Sequence, residues 1–281
     1  MDNLRTKAQE FLKHSPADIA RDQFFLIDPI IIEKLVESAS ITQRDRVLEI
    51  GPGLGFITEV LAKKAQEVFA IEIDERFKPV LDTLPKNVEI QYGNAYQLIN
   101  NWQFREKTRP CTKTVSSIPY SQAQNMLHNY TNYPWYQGDL VWLAPKSLAK
   151  KINHEPILGA FFSAHIVMDV PKTAFYPQPN TSSAIIFFKR IEDPIRSKNF
   201  AIYMRRYLYN HEHVKVKNAV RESIISAAWD LKHKNITKNQ ARGLMTILSL
   251  SHEELEKLTN NILPEYYVTI PNLLTPWFNS L

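Results

Sequence analysis

Short apolar runs alternate with stretches of helical spacing along the first 190 residues of the chain. The runs long enough for buried strands lie at residues 46–50, 67–73, 88–92, 112–116 and 139–144. Helical spacing follows Asp28-Pro29 and recurs over 56–65 and 75–84. Strands that alternate with helices at this pitch predict a parallel, doubly wound sheet.

The pattern changes near residue 190. Before it, two further strands are predicted at 165–170 and 184–189, on either side of the proline-rich loop PKTAFYPQPN. After it the pattern is helical throughout, and the segments beginning at Thr237 and Ser251 fit capping boxes. Residues 1–21 are predicted to form a polar helix or arm. The sequence therefore predicts an α/β domain over 1–190 and a helical domain over 191–281.

The composition fits a folded protein with a sizeable core, since 44% of the 281 residues are apolar and 22% are charged. No run of 18 uncharged apolar residues occurs, which argues against a membrane-spanning helix. The first residues lack the apolar segment of a secretory signal. Cys111 is the only cysteine, so no intramolecular disulfide can form. We therefore expect a cytoplasmic protein.

Positive charge is concentrated rather than spread. The net charge is +5, yet residues 196–242 carry 11 Lys and Arg against three acidic residues, and residues 103–151 carry seven against two. Such segments have two interpretations, a phosphate-binding surface or solvated helix faces. Charge counting alone leaves both open.

Three of the seven glycines, Gly51, Gly53 and Gly55, lie within five residues at the end of a predicted strand. Glycine there lets the backbone approach a bound cofactor closely, although a simple tight turn has the same composition. The next strand ends in Glu72-Ile73-Asp74, where Glu72 is placed to accept hydrogen bonds from a ribose diol. Asp74 has the alternative role of a helix N-cap. Together the two motifs predict a cofactor that contains a nucleoside.

Two more motifs follow predicted strands. Gly93-Asn94-Ala95 ends the third strand and Ser117-Ile118-Pro119-Tyr120 ends the fourth. The carboxyl ends of strands form the crevice where open α/β sheets bind ligands. An Ile-Pro-Tyr turn there can present a carbonyl and an aromatic face to a planar substrate, or it can be an ordinary proline turn.

In type and order, these motifs resemble those of the ribosomal RNA adenine dimethyltransferases, both the small-subunit type and the erythromycin-resistance type. The order is QFFL from Gln23, EIGPGLG from Glu49, EID, GNA, IPY and FYPQP from Phe175, and the resemblance covers residues 20–260. It implies a Rossmann-like seven-stranded methyltransferase sheet with a small α-helical C-terminal domain that is expected to bind RNA. It also implies S-adenosyl-L-methionine as cofactor, ribosomal RNA as partner and N6-methylation of adenine as the reaction.

The resemblance assigns a role to each motif. Gln23 and Leu26 would close over the methionine end of the cofactor, and Glu72 would hold its ribose. Tyr120 and Phe175 would stack on the two faces of the target base, which must leave its helix to react. The remaining cofactor-lining residues implied are Glu49, Gly51, Gly53, Gly55, Ile73, Asn94 and Ala95, and the remaining base-binding residues are Ser117, Ile118 and Pro119.

The sequence departs from the family pattern in three places. Ser117 stands where the family has Asn, and this side chain would orient the target amine. Asn94 stands where the family usually has Asp. The family's basic run is reduced to HEHVK over 211–215, which weakens phosphate contacts there. Nothing in the pattern calls for a metal, since His211 and His213 lack a third ligand at supporting spacing.

Three readings of the function remain open at this stage. They are an active RNA adenine methyltransferase, a methyltransferase that acts on a small-molecule or lipid amine, and an inactive nucleic-acid-binding relative. The basic tract favours a nucleic acid as partner, while the retained glycines, Glu72 and Tyr120 favour an enzyme. A structural protein with no ligand is disfavoured, because the glycines and the acid have no common packing purpose. The sequence indicates neither the oligomeric state nor the modified nucleotide.

Overall fold

The structure is a computed structural model that describes residues 2–108, 111–131 and 138–281. It divides into two compact units: unit 1 spans 1–153 and 163–190 apart from the residues not described, and unit 2 spans 154–162 and 191–281. The strands are β1 (Phe25–Leu26), β2 (Arg46–Ile50), β3 (Glu67–Glu72), β4 (Val88–Tyr92), β5 (Lys113–Ser117), β6 (Asp139–Pro145), β7 (Phe162–Val170), β8 (Phe175–Tyr176) and β9 (Ser183–Arg190). The α-helices are α1 (Asp2–His14), α2 (Pro29–Ser38), α3 (Phe56–Lys64), α4 (Lys78–Leu81), α5 (Ala95–Asn100), α6 (Trp102–Thr108), α7 (Ala123–Thr131), α8 (Ser147–His154), α9 (Phe200–Asn210), α10 (Val216–Lys232), α11 (Lys238–Met245), α12 (His252–Glu256) and α13 (Tyr266–Ser280).

Unit 1 is built on a seven-stranded sheet of order β4-β3-β2-β5-β6-β9-β7, so the predicted α/β methyltransferase-type sheet is confirmed. The strands from β4 to β6 pair in parallel, as predicted. The sheet is mixed, because β9 runs antiparallel to β6 with Leu140 opposite Phe188, and the sequence analysis assigned no direction to this strand. A 3-10 turn over Lys172–Ala174 and the strand β8 occupy the segment between β7 and β9.

The central strands are buried because helices cover the sheet. Val47 and Leu48 of β2 are at most 1% exposed, and α2 and α3 bury their apolar faces in the same core. The pairing of β2 with β5 is extended by a side chain, since the backbone N–H of Ile50 donates to the Ser116 hydroxyl at 2.8 Å. This bond holds together the two strands whose carboxyl ends carry the glycine motif and the Ile-Pro-Tyr motif.

Local sequence explains where several elements end. Asp28 caps α2, with its carboxylate 2.9 Å from the N–H of Ile30. The helix predicted over 75–84 is shorter, a 3-10 turn over Glu75–Phe77 followed by α4, and Pro85 disfavours helical conformation in the residue before it. The helices α5 and α6 were not predicted, although Asn94 and Asn101 stand at their starts and accept hydrogen bonds from the first turns.

Unit 2 is helical, from α9 to α13, with a core that includes Met204, Leu208 and Ile224. Both predicted capping boxes are present, at Thr237 with Gln240 and at Ser251 with Glu254.

The sequence analysis placed residues 154–162 in the first domain, whereas in the structure they pack with unit 2. The Arg205 and Arg206 side chains donate to the carbonyls of Pro156 and Ala160, at 2.7 and 2.9 Å from Nε. Hydrophobic periodicity along the sequence does not predict these hydrogen bonds. Across the residues with described coordinates, no helix is long and apolar enough to cross a membrane.

Candidate functional site

A cavity of about 470 Å³ lies in unit 1 where β2, β3, β4 and β5 end. Its size falls within the range of roughly 300–1,000 Å³ typical of small-molecule sites. The sequence motifs converge on it: its lining includes Gln23, Leu26, Gly51, Gly53, Glu72, Ile73, Asn94, Ala95, Ser117, Ile118 and Pro119. Four other residues singled out from the sequence, Glu49, Gly55, Tyr120 and Phe175, do not line it.

The glycine loop presents bare backbone to the cavity. Gly51 and Gly53 have φ angles of 71° and 52°, which side-chain-bearing residues rarely adopt. A Cβ added to Gly51 would meet no atom within 4 Å, so this position borders open space. A Cβ on Gly53 would lie 3.1 Å from the Phe25 ring. The glycine loop therefore leaves space in the cavity for a ligand, and a side chain at Gly51 would occupy that space.

Glu72 is held in place beneath this loop. One carboxylate oxygen accepts from the backbone N–H of Gly53 at 3.0 Å, and the other accepts from the N–H of Asp74 at 2.8 Å. The side chain is 4% exposed, and burial raises its pKa. A carboxylate has about four acceptor sites, so Glu72 retains capacity to accept a hydrogen bond from a diol.

Asp74 organises the wall beside Glu72. Its carboxylate caps the 3-10 turn over Glu75–Phe77, the alternative role expected from the sequence. It accepts from Nε of Arg76 at 2.9 Å and from Nε2 of Gln23 at 2.9 Å, and the hydrogen bonds from Arg76 lower its pKa to about 2. Both ends of the Gln23 amide are engaged, because its oxygen accepts from the N–H of Asp18 at 2.8 Å. Gln23 thus ties the segment before β1 to the end of β3.

Asn94 caps α5, since its side-chain oxygen accepts from the N–H of Tyr96 at 2.9 Å. Asp and Asn both serve as N-caps, so the departure from the family pattern leaves this structural role intact. Tyr96 also lines the cavity, and its hydroxyl is 2.9 Å from the side-chain oxygen of Gln122. No sequence motif pointed to Tyr96 or Gln122.

The loop after β5 is anchored through its backbone. The N–H of Ile118 donates to the carbonyl of Leu143 at 3.0 Å, and the carbonyl of Pro119 accepts from the N–H of Gln122 at 2.9 Å. The Pro119 carbonyl keeps its second lone pair. Ser117, the last residue of β5, is half-buried and lines the cavity beside these groups.

Tyr120 borders the site without lining the cavity. Its hydroxyl is hydrogen-bonded to the Ser183 hydroxyl, its ring centre is 6.0 Å from that of Phe24, and burial raises its pKa. Phe24 does line the cavity, so an aromatic ring from the QFFL motif is present that the sequence analysis left without a role. Asp22 reaches across to the same loop, accepting from the N–H of Ser121 at 2.8 Å.

Three expected contacts differ in the structure. Gly55 is the N-cap of α3 at a left-handed φ of 74°, and a Cβ there would lie 3.3 Å from Leu84, so backbone conformation and packing account for it without a ligand. Phe175 is completely buried in the β1–β8 pair and offers no face to a base. Glu49 is completely buried, neither of its oxygens has a hydrogen-bond partner, and burial raises its pKa to about 8. It does not line the cavity.

The site has the donors and acceptors for a nucleoside cofactor. Glu72 offers carboxylate oxygens, Gly51 borders open space, and the apolar side chain of Ile73 is 56% exposed at the same edge. Within the described part of the chain, no three His, Cys, Asp or Glu side chains are grouped as metal ligands.

A model of the ribosomal RNA adenine dimethylase family matches residues 19–262, which is most of the chain. The chain belongs to this family. S-adenosyl-L-methionine is the methyl donor of the family. Every motif from QFFL to FYPQP falls inside the matched region.

Two relatives are identical to this chain at about a third of the aligned positions. Ribosomal RNA small subunit methyltransferase A of Listeria monocytogenes is 35% identical over 198 residues, which are 63% of this chain and 65% of that protein. The protein of the same name from Streptococcus thermophilus is 32% identical over 238 residues, 73% of this chain and 82% of its own length. The match to the Listeria protein thus leaves about a third of that relative uncovered.

Two crystal structures show the same fold. A dimethyladenosine transferase from Plasmodium falciparum has a TM-score of 0.56 and 20% identity, covering 90% of this chain and 96% of that chain. The 23S rRNA methyltransferase ErmE has a TM-score of 0.52 and 18% identity, covering 89% and 99%.

Proposed function

We propose that this protein is an S-adenosyl-L-methionine-dependent methyltransferase that methylates N6 of adenine in ribosomal RNA. The observation that carries the proposal is the shared cavity, which joins the glycine loop and Glu72 to the loop after β5 at one edge of the sheet. Membership of the ribosomal RNA adenine dimethylase family supports the choice of substrate.

In the proposed cofactor half, Glu72 accepts hydrogen bonds from the ribose diol, and Gly51 and Gly53 let the cofactor lie against the backbone. Ile73, Asn94 and Ala95 line the same cavity and would hold the adenine of the cofactor. When bound, S-adenosyl-L-methionine supplies an electrophilic methyl group on its sulfonium. Leu26 and Gln23 also line this cavity and would contact the methionine end of the cofactor.

In the proposed substrate half, the chain orients an amine by offering hydrogen-bond acceptors. The free lone pair of the Pro119 carbonyl and the Ser117 hydroxyl both lie at the cavity wall. Accepting from the two amine hydrogens aims the nitrogen lone pair and compensates positive charge that develops on nitrogen. A planar base that enters here meets Phe24 and Tyr120 rather than Phe175. No general base is required, since the proton can leave to water afterwards.

Ser117 supports a second candidate, N-methylation of a small-molecule or lipid amine. The serine hydroxyl reaches less far than the asparagine amide of the family pattern, which suits a differently shaped amine. A catalytically impaired nucleic-acid-binding relative is the third. Under the first proposal the partner is ribosomal RNA, and we infer a cytoplasmic location, where that substrate is available.

Two measurements test the proposal in sequence. Calorimetric titration should show binding of S-adenosyl-L-methionine with the stoichiometry of one site. Transfer of a radiolabelled methyl group is then compared between undermethylated small ribosomal subunits and a mixture of small amines. Label in RNA that digests to N6-methyladenosine supports the first proposal. Label only in amines supports the second candidate, and cofactor binding without transfer to any acceptor contradicts both.

A further inference from the structure

The turn that follows β5 carries the carbonyl to which the proposed function assigns the target amine. The turn is closed by the N–H of Gln122, which donates to the Pro119 carbonyl at 2.9 Å. Just before it, the N–H of Ile118 donates to the carbonyl of Leu143 in β6 at 3.0 Å. The direction of the Pro119 carbonyl therefore depends on how the rest of the turn is held.

Two side chains from elsewhere in unit 1 hold this turn. The Asp22 carboxylate accepts from the N–H of Ser121 at 2.8 Å, and the Tyr96 hydroxyl donates to the carbonyl of Gln122 at 3.2 Å. Among the residues with described positions, no backbone hydrogen bond joins residues 119–121 to another strand or helix. The contact with Asp22 is therefore the hydrogen bond that fixes the backbone in the middle of the turn.

Asp22 can serve as a fixed point because the chain around it is bonded to the end of β3. The amide of the next residue, Gln23, donates to the Asp74 carboxylate at 2.9 Å. The Arg76 guanidinium donates to Asp74 at 2.9 Å and to the carbonyl of Pro16 at 3.0 Å. Asp22 thus connects the turn after β5 to a segment that several hydrogen bonds hold in place.

The backbone conformation of Asp22 indicates that its side chain has a use. Its φ of 56° and ψ of 36° lie in the left-handed region, where glycine is the least strained residue. Asp22 ends the 3-10 turn over Ile19–Arg21 through its own N–H, which donates to the Ile19 carbonyl at 3.1 Å. Glycine would make the same backbone bond with less strain. The carboxylate is therefore not needed to end this 3-10 turn, and the contact that it does make is with Ser121.

We propose that Asp22 is a positioning residue for methyl transfer, which holds the turn after β5 through the N–H of Ser121 so that the Pro119 carbonyl faces the target amine. The inference rests on the proposed function for the role of that carbonyl. Without this bond the Ser121 peptide can rotate, and the Pro119 carbonyl, two residues earlier in the same turn, changes direction with it. Small displacements of groups that orient a substrate lower the rate of the chemical step. Asp22 thus acts through Pro119 and not on the reacting atoms.

The test compares three variants of the full chain, with undermethylated small ribosomal subunits as the methyl acceptor. Asp22→Ala should lower kcat for methyl transfer about tenfold to a hundredfold, while the Kd of S-adenosyl-L-methionine measured by calorimetry stays at the wild-type value. Asp22→Gly relieves the left-handed strain, so it should be more stable than Asp22→Ala and equally slow. Asp22→Asn keeps an oxygen that can accept from the Ser121 N–H and should retain most of the activity.

The matched control is Asp28→Ala. Asp28 also accepts from a backbone N–H, that of Ile30 at 2.9 Å, but it caps α2 and does not line the cavity. Its loss should lower the free energy of unfolding and leave kcat unchanged. Wild-type kcat in Asp22→Gly, or a loss of kcat in Asp22→Asn as large as that in Asp22→Ala, would overturn the proposal. So would a fall in kcat that is matched by an equal fall in cofactor affinity, because general disruption of the cavity explains that result.

Hydrogen exchange separates this inference from the proposed function, since it requires no methyl transfer. In a peptide that covers residues 117–122, exchange measured by mass spectrometry should be faster in Asp22→Ala and Asp22→Gly than in the wild type and Asp22→Asn. If it is faster and the wild type transfers no methyl group to ribosomal RNA, the anchoring of the turn stands and the methylation proposal fails. If the wild type methylates ribosomal RNA and exchange over 117–122 is the same in every variant, the methylation proposal stands and the role of Asp22 is refuted.

Discussion

The buried carboxyl of Glu49 leads to a quantitative prediction about stability and pH. The side chain is completely buried below the glycine loop and neither oxygen has a hydrogen-bond partner. Burial raises its pKa from 4.5 to about 8, so the folded protein holds this group neutral at pH 7 while the unfolded chain ionises it. The group's favourable contribution is therefore complete below pH 4.5 and is lost as pH rises towards 8.

The magnitude follows from the two pKa values. Each tenfold difference in proton affinity is worth about 1.4 kcal/mol, so the full effect is on the order of 5 kcal/mol. Between pH 5 and pH 8 the wild type should lose about 3.5 kcal/mol of unfolding free energy through Glu49. Replacing Glu49 by Gln removes the ionisation and buries an amide in place of a neutral carboxyl, which we expect to cost about 1–3 kcal/mol at every pH.

The assay is urea-induced unfolding of the wild type and Glu49→Gln at pH 5 and pH 8. We expect Glu49→Gln to be less stable than the wild type at pH 5 and to lose much less free energy of unfolding on going to pH 8. Some pH dependence remains, because burial also raises the pKa of Glu72. Glu37→Gln is the matched control, since its side chain is 57% exposed. If Glu49→Gln and the wild type lose the same free energy over this interval, Glu49 is already ionised in the folded protein and the reasoning is wrong.

Three further predictions concern the cavity. Glu72→Ala should weaken S-adenosyl-L-methionine binding at least tenfold by calorimetry, because charged hydrogen bonds to the ribose are lost; unchanged affinity would refute the ribose assignment. Gly51→Ala should cost about 1 kcal/mol of unfolding free energy at its φ of 71° and also impair cofactor binding, and wild-type affinity would show that the loop does not approach the ligand. Ser117→Asn should raise methyl transfer to ribosomal RNA on the order of a hundredfold if the longer amide restores the second acceptor; no transfer with either residue would contradict the RNA assignment.

Local patterns sufficed for much of the fold. The strands β2, β3 and β4 were predicted within one residue, because short apolar runs ended by glycine or polar turns are typical of buried parallel strands. The antiparallel β9 could not be predicted in this way. The direction of β9 depends on its pairing with β6, some 40 residues earlier in the chain, where Leu140 lies opposite Phe188. An apolar run predicts a buried strand but does not indicate whether that strand is parallel or antiparallel to its neighbour.

The candidate site shows the same difference between residues placed by local sequence and residues placed by long-range contacts. Residues at strand ends, such as Glu72, Asn94 and Ser117, reached the cavity because topology alone brings those ends together. Phe175 was misplaced because its burial arises from the long-range β1–β8 pair. The neutralisation of Lys215 by Glu256 likewise depends on a residue 41 positions along the chain. Charge counting in a window cannot include such a partner.

The hydrogen bonds of Gln23 and Asp22 have a consequence for how the site is assembled during synthesis. The Gln23 side chain donates to Asp74, 51 residues later in the chain, and the Asp22 carboxylate accepts from the N–H of Ser121, 99 residues later. Two walls of the cavity therefore meet only after these later residues have been synthesised and have bonded to the segment at 22–23. A fragment beginning at β2 would carry the glycine, acid and Ile-Pro-Tyr motifs while lacking one side of the pocket. Ligand-binding competence is thus expected to arise late on the ribosome and all at once, rather than motif by motif.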